Sequence, residues 1–147
     1  MAAMQPSEFI AVVAPVAVQL RCEGSPIFAS VRIAQAACET GWTLHDWHNL
    51  VGFKVGSGKT NAYWKGAYVN KGTWEVYDGA KKDVTALFRA YDSITDCFCD
   101  QDLLFMGWDN YKLICAAATP DEQCRAFIST PLKYATDPDY ATKLLRV

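Results

Sequence analysis

The run Ala34-Gln35-Ala36-Ala37-Cys38-Glu39-Thr40-Gly41-Trp42 reads as the second half of a helix that ends on a carboxylate. Ahead of it, Ser25-Pro26 supplies a capping hydroxyl and a proline suited to the first helical position. Ile27, Val31, Ala34 and Cys38 then recur at helical spacing. The small residues Ala29, Ala34, Ala36 and Ala37 let a second helix approach closely, and Gly41 is a natural terminator. Glu39 therefore falls in the last turn. There the negative end of the helix dipole disfavours an ionised carboxylate by roughly 0.3–1 kcal/mol. Shielding by Trp42 would push the same way, because desolvation favours the neutral form. A carboxyl kept neutral near pH 7 is what a general acid needs. The same residues also fit a surface glutamate at a frayed helix end.

Upstream, Ser7 reads as a cap for a helix whose face is Phe9, Ile10, Val13, Val16, Ala17 and Leu20, with Pro15 a candidate kink and Gly24 the end. Residues 9–20 carry no charge, yet the run is shorter than the roughly 18 residues of a spanning helix. It follows Glu8, has no basic residue before it and ends in Arg21-Cys22-Glu23-Gly24, so it lacks the layout of a secretory signal. It is expected to be a core helix. If the protein works outside the membrane, the expectation is cytoplasmic accumulation followed by release through something other than a standard N-terminal signal.

Downstream, residues 43–60 are rich in Gly, His, Asn and Ser and read as loop. Tyr63, Trp64, Tyr68, Val69, Trp74, Val76 and Tyr77 are strand formers, and Asn70-Lys71-Gly72 is read as the turn between two short runs. In residues 73–77 a period of two puts Thr73, Glu75 and Tyr77 on one face, with Trp74 and Val76 on the other. Residues 84–91 are read as a further strand, since Asp92-Ser93 looks like the cap of a helix beginning there. Thr119-Pro120-Asp121-Glu122 opens another helix, and Asp137-Pro138 opens the last one, through Tyr140, Leu144 and Leu145. The fold class is α+β: helices around one core, with a small β-lobe inserted after the second helix.

The 147 residues, 51% hydrophobic and 20% charged, suit one domain covering 1–147. A net charge of -2 gives no field for gathering phosphate backbones, so nucleic acid is not an expected partner. The six cysteines form no CxxC pair, which excludes zinc ribbons and favours buried free thiols. Gly56-Ser57-Gly58-Lys59-Thr60 imitates a phosphate loop, but Phe53 stands where that motif needs glycine, and strand-like sequence comes after it. His45 and His48 are three apart with no evident third ligand, so no metal is expected.

In chain order, residues 34–42 join Asn49-Leu50-Val51-Gly52-Phe53-Lys54, Thr73-Trp74-Glu75, Phe88-Arg89-Ala90-Tyr91-Asp92-Ser93 and Tyr134-Ala135-Thr136-Asp137-Pro138-Asp139-Tyr140. The set resembles the signature of family 73 glycoside hydrolases, the bacterial and phage glucosaminidases that cut peptidoglycan. The resemblance runs from about Phe9 to the end of the chain.

It implies a lysozyme-like α+β fold, a mostly helical body with an antiparallel β-hairpin lobe beside a sugar groove. It places the family's general acid on Glu39, a second carboxylate candidate on Glu75 and a tyrosine near the scissile bond on Tyr134. Thr40 stands where serine is usual and Val51-Gly52-Phe53 where Phe-Gly-Ile is usual, and the loop at 43–48 is short, so the groove's shape is expected to differ. Trp42, Tyr63, Trp64, Tyr68 and Trp74 are the candidate sugar-stacking rings, with Asn49 a candidate polar contact. Each also has a plainer reading: Glu75 a solvated strand residue, Tyr134 a packed tyrosine, Asp137 a helix cap and Asn49 a loop-fixing donor. Arg89 is expected to brace a buried carboxylate, and Phe88 to be core.

The expected activity is endo-cleavage of the β-1,4 bond between N-acetylglucosamine and N-acetylmuramic acid in peptidoglycan glycan strands, by a monomer without cofactor or membrane partner. The alternatives are a lysozyme-like muramidase or lytic transglycosylase, and a non-catalytic wall-binding module.

Overall fold

A computed structural model describes residues 3–77, 79–129 and 139–146. Helix α1 (Pro6–Cys22) buries Phe9, Val13, Ala17 and Leu20, the spacing read from the sequence. Its start differs from expectation: Pro6 holds the first position after Gln5, and Ser7 lies inside the helix. Helix α2 (Ala29–Thr40) also begins later than Ser25-Pro26 suggested. The Ser25 hydroxyl is taken by the Ile27 N–H (3.2 Å) and by Arg32 Nη1 (3.2 Å), which makes it a local turn clasp rather than a helix cap. Gly41 ends α2 in the left-handed region at φ 60°, as its lack of a Cβ permits.

The hairpin comes next. Strands β1 (Tyr68–Tyr77) and β2 (Ala80–Arg89) pair antiparallel from Tyr68↔Arg89 to Tyr77↔Ala80. Asn70, Lys71 and Gly72 are thus strand residues, and the expected turn there does not exist. The chain reverses between Tyr77 and Ala80 through a two-residue connection that includes Gly79 at φ 77°. Asp78-Gly79 is the stronger hairpin signal, because such turns need positive φ. The strand expected over residues 84–91 is the second half of β2. Among the described residues no helix backbone packs on β1 or β2, and the ribbon reaches a helix through a side chain, Arg89 at the end of β2 to Asp100 on the helix that follows. Loops hold the foot of the ribbon: Lys54 bridges to Phe88, and Val55 N–H donates to Leu87 O at 3.0 Å.

Helix α3 (Ile94–Gly107) starts at Ser93, whose hydroxyl accepts from Asp96 N–H as the sequence implied. A 3-10 turn (Asp109–Tyr111) leads into α4 (Lys112–Ala116), and α5 (Pro120–Ser129) is capped by Thr119. Helix α6 (Tyr140–Arg146) closes the described chain, and the Asp137-Pro138 start proposed for it lies outside the described residues.

Among the described residues the core expected around the helices falls into two apolar clusters. One gathers Phe9, Val13, Leu20, Ala36, Ala37, Leu50, Trp64, Cys97 and Phe98; the other gathers Ile27, Val31, Ala34, Phe105, Ile114, Phe127 and Leu144. Each Val, Leu, Ile or Phe side chain among them, fully buried, stabilises by roughly 1.5–3 kcal/mol. Along α2 and α3 a polar layer separates them. Arg32 meets Asp102 at 2.5 Å and Gln101 at 3.0 Å, and Gln101 donates to Gln35 at 2.9 Å. These long side chains bridge α2 and α3, whose backbones are not in close contact; the helix that packs most closely on α2 is α1.

Candidate active site

Glu39 is the penultimate residue of α2 and its side chain is exposed. One wall beside it is Gly52: a Cβ built there would lie 2.9 Å from Glu39 Oε2. Gly52 also has φ +69°, so both the space and the backbone call for glycine. Trp42, expected to shield Glu39, follows the helix-ending Gly41. Its half-buried ring packs edge-on against Phe9 at 5.5 Å, and its carbonyl accepts from Met4 N–H at 2.8 Å. Thr40, where serine is usual, donates to Ala36 O (2.7 Å) and accepts from Thr43 N–H (3.3 Å), which fastens the chain as it leaves the helix.

Asn49 shapes the Gly52 wall and does not face the groove. Buried, it donates to Phe53 O (2.8 Å) and Arg89 O (2.9 Å), while Oδ1 accepts from Val51 and Phe53 N–H, both at 3.2 Å. Its amide is thus fully engaged with backbone, which corrects its assignment as a sugar contact. Trp64 is corrected too. It is 1% exposed, its Nε1 donates to Ala67 O at 2.7 Å and the Arg89 guanidinium covers its ring at 4.3 Å. No face is open to a sugar. Tyr63 is half-buried, whereas Tyr68, first in β1, is 60% exposed and remains available for stacking.

Trp74 and Glu75 lie on β1 in register with Asp83 and Lys82, and their side chains lie outside the described residues. Tyr134 lies wholly outside them. Arg89 braces a buried carboxylate as expected, through Nη1 to Asp100 Oδ2 at 2.7 Å. Phe88 is half-buried.

Sequence reasoning passes over a ring pair at the hairpin's foot. His45 and Trp47 stack with centroids 4.2 Å apart and planes 4° apart, and Lys71 Nζ lies 5.0 Å from the Trp47 centroid. Burial, then the Lys71 ammonium, holds His45 below its ordinary value, which keeps the imidazole neutral at pH 7. Reading Lys71 as a strand residue would have shown which way it points. His48 is loop-fixing, with Nδ1 2.9 Å from Tyr91 O.

Among the described residues no three His, Cys, Asp or Glu side chains converge as a metal site, and Gly56-Ser57-Gly58-Lys59-Thr60 is exposed with no helix after it. All six cysteines are free; Cys97 and Cys124 are buried, and burial pushes the Cys97 thiol up to about 12. No helix among the described residues is long and apolar enough to cross a membrane.

A carboxyl at the end of a packed helix, beside a loop wall and an antiparallel hairpin, defines the lysozyme-like class of glycoside hydrolase folds. Within that class the chain belongs to the glucosaminidase family, described as mannosyl-glycoprotein endo-β-N-acetylglucosaminidase, whose model matches residues 16–147. Peptidoglycan hydrolase FlgJ of Pseudomonas aeruginosa is 36% identical over 149 residues, covering 95% of this chain and 35% of that protein. Exo-glucosaminidase LytG of Bacillus subtilis is 32% identical over 135 residues, covering 86% of this chain and 45% of that protein. This chain thus spans between a third and a half of these curated relatives. A peptidoglycan hydrolase mutant from Sphingomonas sp. A1 superposes with TM-score 0.80 at 31% identity, covering 95% of this chain and 90% of that one.

Proposed function

We propose that residues 1–147 form a single catalytic domain with peptidoglycan N-acetylglucosaminidase activity, hydrolysing the N-acetylglucosamine-β-1,4-N-acetylmuramic acid bond with Glu39 as general acid. The observation that carries this is Glu39 itself, an exposed carboxyl ending α2 and confined on one side by Gly52. The names of the relatives supply the substrate class.

Glu39 donates its proton to the bridging oxygen as the C1–O bond breaks. The oxocarbenium-like centre then needs either a second carboxylate or the substrate's own 2-acetamido group. Glu75 is the carboxylate candidate on the hairpin, acting on water once the lobe closes over the glycan. Tyr134 is the proposed tyrosine near the scissile bond. Trp42, Tyr63, Tyr68 and Trp74 remain proposed sugar contacts, and Trp47 joins them as a half-exposed ring at the hairpin's foot. The domain acts as a monomer on wall glycan, without nucleic acid or membrane.

Mass spectrometry of muropeptides released from purified cell walls tests the reading. New reducing ends on glucosamine are expected. Reducing or anhydro muramic ends would favour the muramidase or transglycosylase alternative, and no released sugar at all the binding module. Glu39→Gln is expected to abolish release while glycan binding persists. The family description says endo and one relative is named exo; the size distribution of early products decides between them.

A further inference from the structure

Gly52 stands against Glu39 because the backbone around it is held, by Asn49 on the near side and by Arg89 beyond it. Arg89, last in β2, donates its own N–H to Phe53 O at 2.9 Å. Its side chain returns to the same segment, Nε donating to Lys54 O (3.0 Å) and Nη2 to Val55 O (3.5 Å). The guanidinium plane lies between Phe53 and Trp64, 4.4 and 4.3 Å from their ring centroids. A planar fork can serve these partners together, where a lysine ammonium could not.

Asp100 fixes the fork. It is 2% exposed on α3 and accepts from Arg89 Nη1 at 2.7 Å, from Asn61 Nδ2 at 2.7 Å and from the Tyr91 hydroxyl. Burial raises the Tyr91 phenol far above its ordinary value, so it stays a donor. Helix α3, the 61–64 loop, the Gly52 wall and the foot of the hairpin are thereby tied at one point. Arg32–Asp102 is a comparable buried pair, but its partners are Ser25, Phe98 and Gln101 on the helical side.

We propose that Arg89, locked by Asp100, is a positioning residue for the reaction: it sets how closely the Gly52 wall stands to the Glu39 carboxyl and joins that wall to the strand pair bearing Glu75. This rests on the reading of Glu39 as proton donor. Arg89 touches no reacting atom and acts only through the loop it holds.

The test compares kcat, KM, pH profile and melting temperature on solubilised glycan strands for Arg89→Lys, Asp100→Asn, Tyr91→Phe and Asp102→Asn. Misplacing a catalytic group by around 1 Å costs up to about 100-fold, so Arg89→Lys and Asp100→Asn should lower kcat about 10- to 100-fold. KM should stay within about twofold, the pattern of an interaction lost mainly in the transition state. The high-pH limb of the kcat profile should move to lower pH, because a receding wall opens to water the one side of the carboxyl that Gly52 confines. Tyr91→Phe, which removes one hydrogen bond from Asp100, should move the limb in the same direction by less. Asp102→Asn should lose melting temperature comparably and leave the limb in place. If all four limbs coincide and kcat merely tracks melting temperature, the proposal is overturned. Should Asp100→Asn fail to fold, an unmoved limb in Arg89→Lys and Tyr91→Phe overturns it equally. Glu39→Gln at wild-type rate would instead overturn the underlying reading, which separates the two failures.

Discussion

Replacing Gly52 by alanine probes the acid without touching it. The added methyl would meet Glu39 Oε2 at 2.9 Å, where ordinary contact begins at 3.4 Å, so the carboxyl must retreat by about half an ångström or the loop must move. Alanine must also adopt φ +69°, a left-handed conformation costing roughly 1–2 kcal/mol. For a chain of this length that strain lowers the melting temperature by about 2–8 °C. The displaced carboxyl should lower kcat by about 10- to 100-fold beyond that. Gly56→Ala is the control: φ is +60° and nothing lies within 4 Å of its Cβ, so it carries the strain and not the clash. Initial rates of cell-wall clearing, with thermal melts of both variants, decide the matter. If Gly52→Ala melts like Gly56→Ala and clears walls at the same rate, the wall does not govern the acid and the reasoning is refuted.

Other consequences can be checked directly. Asn49→Ala strips four backbone partners in a buried loop and should cost about 2–4 kcal/mol in urea unfolding; a loss under about 0.5 kcal/mol would contradict its role. Trp64→Ala should cost about 3–5 kcal/mol and expose the Arg89 charge, whereas Tyr68→Ala should melt normally and raise KM. Since the folded value of His45 lies below its ordinary 6.5, the unfolded chain takes up that proton first on acidification. Its contribution to stability is complete above about pH 6.5 and is lost as the pH falls toward the folded value. His45→Phe keeps the stack on Trp47 without the proton, so its melting temperature should decline less between pH 7 and 5; parallel declines would refute this.

Local signals are legible where one residue type answers one backbone need. Gly41 and Ser93 can be placed from sequence because a left-handed exit and an N-cap hydroxyl have few substitutes. Ser25 misleads because its hydroxyl serves Arg32, a partner that spacing alone does not reveal. Asn70-Lys71-Gly72 looks like a turn because its residue types suit one, yet pairing with Leu87, Ala86 and Thr85 holds it extended. Trp64 and Tyr68 look alike as aromatics, and what distinguishes them is tertiary: Arg89 and the Ala67 carbonyl enclose the first and leave the second exposed. Helix α2 and its terminal carboxyl are readable from the chain; the Asp100 junction is not, since Asn61, Arg89 and Tyr91 reach it from separate segments.

The hairpin's proportions have a mechanical corollary. Ten residues per strand span about 33 Å, and the described attachments all lie at one end. Such a ribbon is a lever: tilting its base by 10° sweeps the far end through about 6 Å, roughly the width of a sugar ring. A long polymer could therefore be admitted or gripped by a torsion small enough to leave the helices undisturbed.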